Sequence, residues 1–315
     1  MFTTTLNQMA VLALYILIGF TVARVGVVGR DASGVLSKLE NAVFIPALVA
    51  GTFMKNFTVA TFSFAWRLLL FSLALELLVI PLAILCSRLV SKSAYMRNIY
   101  TYGLAFSNFG FMGIPIVSAL FPEYEMYYII FTLPLWTLIY VWAVPSLLLG
   151  DSDKRQSVGG KLKNLINPMF IALLIGAVVG LSGLRVPSFI TTVVDALGAC
   201  MSPIAMIVTG ITFAHIKIRR VLSDAGIYIV SFLRLAVFPL LFSGLFLLVT
   251  RIFSLTPSAY YFVCLVCSLA MPLGLNTVVV PAALGKDTSV AAGMALISHA
   301  LSVISIPLIL MLFIA

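Results

Sequence analysis

Charged side chains are scarce in this chain: Asp, Glu, Lys and Arg make up only 9% of its 315 residues. A soluble domain usually carries about 25% charged residues, so the chain lacks the polar surface that would keep it in water. Its hydrophobic content of 62% and its mean hydropathy of +1.18 describe the whole length rather than one anchor. The composition excludes an ordinary soluble enzyme, a disordered protein and a nucleic-acid-binding protein. It predicts a polytopic protein embedded in a lipid bilayer.

Cysteine and histidine are also rare. The four cysteines lie within or at the ends of apolar segments, so Cys264-x-x-Cys267 is interpreted as a packing feature rather than a metal or redox pair. The two histidines, His215 and His299, are far apart, and neither H-E-x-x-H nor G-x-S-x-G occurs. Because the apolar segments also hold no paired aspartates, we expect neither an enzyme nor a bound cofactor.

Ten apolar segments are each long enough to cross a bilayer as a helix, which takes roughly 20 residues. They leave short loops between them and lack the alternating polarity of membrane β-strands. The sequence therefore predicts an all-α protein with ten transmembrane helices, at residues 5–24, 32–54, 62–86, 98–121, 125–149, 165–184, 188–212, 225–249, 258–284 and 288–314.

Lys and Arg are distributed unequally between the two sides of this arrangement. If the N-terminus is outside, fourteen basic residues fall on one side of the membrane and four on the other, with Arg234 inside a helix. Because basic loops stay in the cytoplasm, we expect both termini to face outward from the cytoplasmic (inner) membrane. The net charge of +9 then reflects topology and requires no anionic partner.

The prolines indicate an internal repeat. Three pairs have nearly the same separation, which is 157 residues for Pro46 and Pro203, 158 for Pro81 and Pro239, and 166 for Pro115 and Pro281. We expect residues 1–150 and 165–315 to form two repeats of five helices, joined by a cytoplasmic linker at 151–164. Because five is odd, the second repeat is inverted relative to the first. Inverted repeats of this kind are typical of secondary transporters.

The fourth and ninth segments combine asparagine, glycine and proline. The fourth reads Ser107-Asn108-Phe109-Gly110-Phe111-Met112-Gly113-Ile114-Pro115, and the ninth reads Met271-Pro272-Leu273-Gly274-Leu275-Asn276-Thr277 with Pro281 beyond. Proline removes a backbone donor and glycine permits unwound backbone, which membranes tolerate only where it is buried or lines a cavity. We expect helices 4 and 9 to break at Pro115, Pro272 and Pro281. The alternative is two kinked helices whose asparagines cross-link the bundle.

Broken helices would create a site for an anion. The N-termini of half-helices offer N–H groups and positive dipole ends, and amide side chains can hydrogen-bond a carboxylate. The predicted substrate-binding residues are Asn108 and Asn276, with Ser107 and Thr277 beside them and Gly110, Gly113 and Gly274 in the unwound backbone.

Two ionisable residues lie near the centres of predicted helices, where a charge is costly and often functional. Glu76 is five residues before Pro81 and Arg234 is five residues before Pro239, so the repeat relates their positions. We expect them to face each other. Two interpretations stay open: a permanent structural pair, or a pair that opens when Glu76 is protonated or a substrate carboxylate reaches Arg234. Glu40, nearer the cytoplasmic end of helix 2, is interpreted as structural.

The run Asn108-x-x-x-Met112-Gly113-Ile114-Pro115 resembles the fourth-helix motif of the auxin efflux carrier family, which includes plant PIN proteins and bacterial malonate and malate carriers. Pro272–Asn276, followed by Ala282-Ala283-Leu284-Gly285-Lys286-Asp287, resembles the late motif of that family, and Asn167-Pro168 also fits. The resemblance implies crossing broken helices 4 and 9, a scaffold domain and a transport domain in an elevator mechanism, and a homodimer. The short central linker is typical of a bacterial member and argues against plant auxin as the substrate.

These observations predict a secondary active transporter that moves a small organic anion by alternating access. Malonate, malate and lactate are the leading substrates by family analogy, and coupling to H⁺ or Na⁺ stays open. The alternative is a sodium symporter of the bile-acid type or a sodium/proton antiporter. Such cation sites usually gather more intramembrane acid than Glu76 alone supplies near the breaks.

Overall fold

The fold was obtained as a computed structural model that describes residues 2–29, 31–149, 166–215, 224–283, 286 and 288–314. The predicted linker at 151–164 and motif residues Leu284, Gly285 and Asp287 lie outside these ranges. The described residues are helical and contain no named β-strand. The prediction of an all-α polytopic membrane protein is therefore confirmed.

The described residues of the first half of the chain form seven α-helices. They are α1 (Phe2–Arg24), α2 (Ala32–Leu39), α3 (Ile45–Asn56), α4 (Val59–Val90), α5 (Ala94–Ala105), α6 (Ile114–Leu120) and α7 (Glu125–Leu138). Wider π-helical turns join α2 to α3 at Glu40–Phe44, lead into α6 at Phe109–Gly113 and extend α7 at Ile139–Leu149.

The second half contains eight α-helices within its described residues. They are α8 (Pro168–Ser182), α9 (Ser188–Ala199), α10 (Met201–Ala214), α11 (Ala225–Phe232), α12 (Phe238–Ile252), α13 (Ala259–Ala270), α14 (Asn276–Ala283) and α15 (Ser289–Phe313). A π-helical turn at Leu233–Val237 joins α11 to α12.

Among the described residues, seven helical stretches are long and apolar enough to cross a membrane. They are Phe2–Arg24, Ala32–Asn56, Phe64–Val90, Pro122–Leu148, Ser188–Ala214, Ala225–Ile252 and Ser289–Phe313. Three shorter apolar helices, Phe109–Leu120, Pro168–Ser182 and Ala259–Ala270, occupy parts of the remaining predicted segments. Large apolar side chains such as Leu77, Leu89 and Leu174 are exposed on the outside of the bundle. Such a surface suits lipid, where apolar exposure carries no hydrophobic penalty.

Proline explains three of the π-helical turns. Pro46, Pro115 and Pro239 each lie at the start of the α-helix that follows such a turn. Proline cannot donate a backbone hydrogen bond, and its ring clashes with the carbonyl one turn earlier. The preceding residue donates instead to the carbonyl five positions back, from Ile45 to Glu40, Ile114 to Phe109, and Phe238 to Leu233. The wider turn keeps the helix continuous, and it places Glu40 and Arg234 inside turns of this kind.

The helices pack as two groups that are each drawn from both halves of the chain. The first group consists of α1, α2, α3, α8, α9 and α10, and the second consists of α4–α7 and α11–α15. Packing within each group is more extensive than packing between them. In the first group α1 packs against α10, and α3 packs against α8. The first predicted apolar segment of each half is therefore paired with the second predicted segment of the other half.

Glycines allow these two helix pairs to approach closely. Gly19 of α1 lies against the backbone of Ile207, and Gly210 of α10 lies against the carbonyl of Ile16. In the other pair, Gly176 and Gly180 of α8 lie against the backbone of α3 and of Phe57, the residue that follows α3. A Cβ atom at any of the four would meet backbone atoms that cannot give way. Small residues at helix contacts are the usual way to gain close packing in lipid.

Candidate functional site

The chain unwinds at two places that contact each other. The helix α5 ends at Ala105 and α13 ends at Ala270, and the residue after each adopts an extended backbone. The backbone N–H of Asn108 donates to the carbonyl oxygen of Pro272 at 2.7 Å, and Ser107 forms an isolated antiparallel bridge with Leu273. The two breaks therefore cross and are joined by backbone hydrogen bonding.

Glycine is required at this crossing. A Cβ atom on Gly274 would lie 3.0 Å from the carbonyl oxygen of Phe106 and 3.2 Å from that of Ser107. Both neighbours are backbone atoms of the other break, so they cannot rotate away. Any side chain at this position would push the two breaks apart.

Of the three prolines expected at the breaks, only Pro272 lies in one. Pro115 lies at the start of α6, beyond the unwound residues, and Pro281 lies inside α14. The expectation that the helices break at Pro115 and Pro281 is therefore wrong. Proline is tolerated in the first turn of a helix because the N–H it lacks has no helical partner there.

Arg234 holds the ends of both first half-helices. Its guanidinium donates from Nη1 to the carbonyl of Leu104 at 2.8 Å, from Nη2 to that of Ser268 at 3.0 Å, and from Nε to that of Met271 at 3.2 Å. Its side chain is 1% exposed. Helix C-termini carry partial negative charge, so the cation lies where two such ends converge. Arg234 therefore compensates the partial negative charge at the C-termini of both α5 and α13.

Glu76 lies in the same region without a salt bridge to Arg234. The Glu76 side chain is 2% exposed and its Oε2 atom has no hydrogen-bond partner. The carboxylate is close enough for electrostatic attraction to the guanidinium. Among the described residues, however, the salt bridge within 4 Å is Lys55–Asp195. Glu76 and Arg234 therefore share a neighbourhood, but the direct contacts of Arg234 are backbone carbonyls.

Asn108 and His299 form a buried hydrogen-bonded pair. His299 Nδ1 lies 2.7 Å from the carbonyl of Ala295, an acceptor, so Nδ1 carries the proton. The Nε2 atom of the neutral ring then accepts from Asn108 Nδ2 at 3.0 Å. The amide oxygen of Asn108 is buried and has no hydrogen-bond partner. His299 thereby sets the orientation of the Asn108 amide.

Asn276 lies at the inner end of an open vestibule. This cavity has a volume of about 950 Å³ and lies between the two helix groups; its lining includes Lys38 and Asn41 from the first group and Phe111, Trp136, Tyr140 and Asn276 from the second. It also reaches Asp31 and Pro168, so it opens at the side where α1 ends and α8 begins. Asn276 is the first residue of α14, and its Nδ2 donates to the hydroxyl of Tyr102 at 2.9 Å. An asparagine amide and a helix N-terminus thus meet at the vestibule.

The other predicted substrate-binding residues mainly hold the breaks. The Ser107 hydroxyl donates to the carbonyl of Ser268 at 2.7 Å, and the Thr277 hydroxyl donates to that of Gly274 at 2.8 Å. Gly110 and Gly113 lie against the rings of Trp136 and Tyr128. Within the described part of the chain, these four residues and Asn108 do not line the vestibule.

Sequence reasoning missed the position of Glu40. The side chain is 1% exposed, and neither carboxylate oxygen has a hydrogen-bond partner. It lines a small cavity of about 40 Å³ together with Phe111, Leu275 and Asn276. A signal was available, because Glu40 lies six residues before Pro46, much as Arg234 lies five residues before Pro239. Tyr102, the partner of Asn276, was also missed, and no sequence motif marks it.

Comparison with known families decides the class of protein. A family described as "Membrane transport protein" matches this chain over residues 4–158 and 156–310. The chain belongs to this family. The resemblance to auxin efflux carriers is therefore confirmed, and the protein is a membrane transporter. A search of curated proteins gave no match.

The cysteines of this transporter are free thiols, and Cys264 and Cys267 are fully buried in α13. Both contribute to the hydrophobic core. Across the ranges that the structure describes, no group of three or more His, Cys, Asp or Glu side chains is placed to hold a metal ion.

Proposed function

We propose that this transporter is a secondary active carrier of a small organic anion, a mono- or dicarboxylate, bound where the two helix breaks cross. The observation that carries the proposal is Asn276, which lies at the inner end of the vestibule and at the N-terminus of α14. An amide N–H and a helix N-terminus are both suited to a carboxylate. The vestibule volume of about 950 Å³ is ample for malonate, malate or lactate.

The charges at the crossing favour an anion. Four half-helix ends meet there, two C-termini and two N-termini, each carrying roughly half an elementary charge. The fixed cation Arg234 compensates the C-termini of α5 and α13. The N-terminal ends at Phe109 and Asn276 carry the opposite, partial positive charge. A substrate anion supplies the missing negative charge and is released again because no full cation holds it.

The two helix groups support alternating access. The vestibule lies between them, so a displacement of the second group along the first would carry the crossed breaks from one side of the membrane to the other. We propose an elevator mechanism in which the first group is the scaffold and the second is the transport domain. Ten spans in two inverted repeats of five fit this division, and the two consecutive family matches, 4–158 and 156–310, support it.

Orientation and assembly complete the proposal. With both termini outside the cytoplasmic membrane, the vestibule opens to the cytoplasm, and the present state is inward-open. The family resemblance implies a homodimer assembled through the scaffold.

Uptake into proteoliposomes tests this function. Purified protein is reconstituted, and uptake of radiolabelled malonate, malate and lactate is compared with protein-free vesicles. We expect saturable uptake of at least one acid, which Asn276→Ala and Asn108→Ala each abolish while the folded yield stays unchanged. Asn56→Ala is the matched control, because the Asn56 amide donates to the carbonyl of Thr52 within its own helix. Wild-type uptake rates in both Asn276→Ala and Asn108→Ala would refute the proposed anion site.

Cation transport is the second candidate, and the buried carboxylate of Glu40 beside Asn276 is the observation that favours it. A cation exchanger would dissipate an imposed sodium or pH gradient in the absence of any organic acid. The anion carrier requires the acid. A pH-sensitive dye inside the proteoliposomes separates the two functions.

A further inference from the structure

The carboxyl group of Glu40 is enclosed on the wall of the substrate site. Its side chain is 1% exposed, and both Oε1 and Oε2 are buried without a hydrogen-bond partner. The cavity it lines, of about 40 Å³, is also lined by Asn276, the residue at the end of the vestibule. Ser37, Asn41, Phe111 and Asn276 line both cavities. The acid therefore adjoins the proposed anion position.

No described cation neutralises this carboxyl group. Helices α2, α3, α8, α9 and α10 pack around the π-helical turn that contains Glu40. The ionisable residues on these helices or at their ends are Asp31, Lys38, Lys55, Asp195, Cys200 and His215. Lys55 pairs with Asp195 at 2.6 Å, and Lys38 lines the open vestibule instead. On the opposite wall, the ionisable side chains are the phenols of Tyr102 and Tyr140. Within the described ranges, no basic nitrogen lies within 4 Å of Glu40.

A buried carboxylate without partners is strongly disfavoured, because it loses its hydration and receives nothing in return. The group must therefore carry a proton, or hold another cation, while the site has this conformation. A proton needs no ligands beyond the carboxyl itself. A sodium ion needs several oxygen ligands at once, and the walls of this cavity are largely apolar, with Phe111, Ala205, Val208 and Leu275 among them.

We propose that Glu40 is the proton-binding residue that couples anion transport to the proton gradient. The inference rests on the proposed function, and it deepens that function by naming the coupling ion and its site. It moves the coupling role away from Glu76, which experiences the electrostatic attraction of Arg234 and does not line either cavity at the crossing.

Repulsion between the bound anion and an ionised Glu40 determines whether anion and proton move in the same direction. An anion at Asn276 repels a second negative charge at Glu40, so the anion binds more tightly when Glu40 is protonated. By linkage, the bound anion also favours uptake of the proton by the same factor. Anion and proton therefore travel together as a symport, and anion affinity falls as the pH rises.

Infrared difference spectroscopy tests the proton without any substrate. Full-length protein in lipid is titrated with acid and base, and the carbonyl band of a protonated buried carboxyl group is followed. We expect wild type and Glu76→Gln to show a protonated-carboxyl band, and Glu40→Gln to lack the component of that band that Glu40 contributes. A band that persists unchanged in Glu40→Gln would overturn the assignment.

Gradient-driven uptake tests the coupling. With an imposed difference of one pH unit, a monoanion moving with one proton accumulates about tenfold. Glu40→Gln keeps the shape of the side chain but cannot release a proton, so it should still equilibrate labelled lactate while losing the tenfold accumulation. Glu76→Gln should retain accumulation. Accumulation in Glu40→Gln equal to wild type, or accumulation in wild type that follows a sodium gradient instead, would overturn the proposal.

The two experiments separate this inference from the proposed function. If malonate, malate and lactate are all refused by wild-type proteoliposomes, the substrate class fails. The infrared titration still decides whether Glu40 carries a proton. If the acids are transported but Glu40→Gln retains the pH-driven gradient, only the coupling assignment fails.

Discussion

Arg234 donates from Nη1 to the carbonyl oxygen of Leu104 at 2.8 Å, across a sequence separation of 130 residues. This bond joins a residue in the second half of the chain to the end of a broken helix in the first half. The same guanidinium reaches the end of the other broken helix at Ser268. One cation therefore fixes both interrupted helices relative to each other, and the geometry of the proposed anion site depends on it.

Replacing Arg234 should destabilise the protein. Arg234→Met removes three hydrogen bonds from a charged donor, and it takes from the buried carbonyls of Leu104 and Met271 their side-chain donor, while Ser268 keeps the Ser107 hydroxyl; the loss costs about 3 kcal/mol or more. We expect a clear drop in the apparent melting temperature of the purified protein in detergent. Arg251→Met, at an exposed position in the adjoining helix α12, is the matched control and should melt like wild type. Equal melting of the two variants would show that Arg234 does not hold the crossing.

Asn108 and His299 should act as one unit. Each single substitution to alanine leaves the other side chain buried with an unmet hydrogen bond, while the double substitution removes both groups together. A double-mutant cycle on thermal stability should therefore give a coupling energy of about 0.5–3 kcal/mol. Additive effects of the two substitutions would mean that the 3.0 Å contact between them contributes nothing to folding.

Glycine substitutions should distinguish the packed helix pair from the open surface. A Cβ on Gly210 would overlap the carbonyl of Ile16, whereas a Cβ on Gly244 would meet nothing within 4 Å. Gly210→Ala should therefore destabilise by about 1–3 kcal/mol. Gly244→Ala, in α12, has room for the added methyl group and should be neutral or stabilise by up to about 1 kcal/mol. Unfolding curves of both variants in detergent provide the comparison, and a stable Gly210→Ala protein would argue against the close approach of α1 and α10.

Thiol labelling should determine the orientation of the vestibule. Gly34 lines this cavity and has open space around it, and Val59 lies just beyond the other end of the continuous helical stretch Ala32–Asn56. In a Cys200→Ser background, Gly34→Cys should react with a membrane-impermeant maleimide in inverted membrane vesicles but not in intact cells. Val59→Cys should show the reverse pattern, and the background protein reports labelling of the remaining cysteines. Labelling of Gly34→Cys from outside would invert the proposed topology.

The sequence was sufficient for the helical architecture because long apolar runs have few alternatives in a bilayer. It also located the two breaks to within one or two turns, since asparagine, glycine and proline cluster there. It placed the breaks at Pro115 and Pro281 because a proline can either interrupt a helix or begin one, and only the backbone partners decide between these roles. The unwound residues lie earlier, next to Ser107 and Leu273.

The partners of buried polar residues could not be predicted in the same way. Arg234 and Glu76 occupy matching positions before Pro239 and Pro81, yet the guanidinium binds carbonyls that the breaks expose. The burial of the Glu40 carboxyl group depends on how α2 and α10 pack around it, and no pattern in one segment specifies that packing. Interactions between helices distant in sequence determine which buried groups are paired and which are left unpartnered.

Direct binding of an organic acid at Asn276 is the central claim, and a scintillation proximity assay measures it without transport or coupling. Radiolabelled malonate, malate and lactate are titrated onto purified wild-type protein, Asn276→Ala and the control Asn56→Ala. Saturable binding that wild type and Asn56→Ala share, and that Asn276→Ala has lost while remaining folded, is the predicted result. Saturable binding that survives unchanged in Asn276→Ala would place the anion elsewhere and contradict the account.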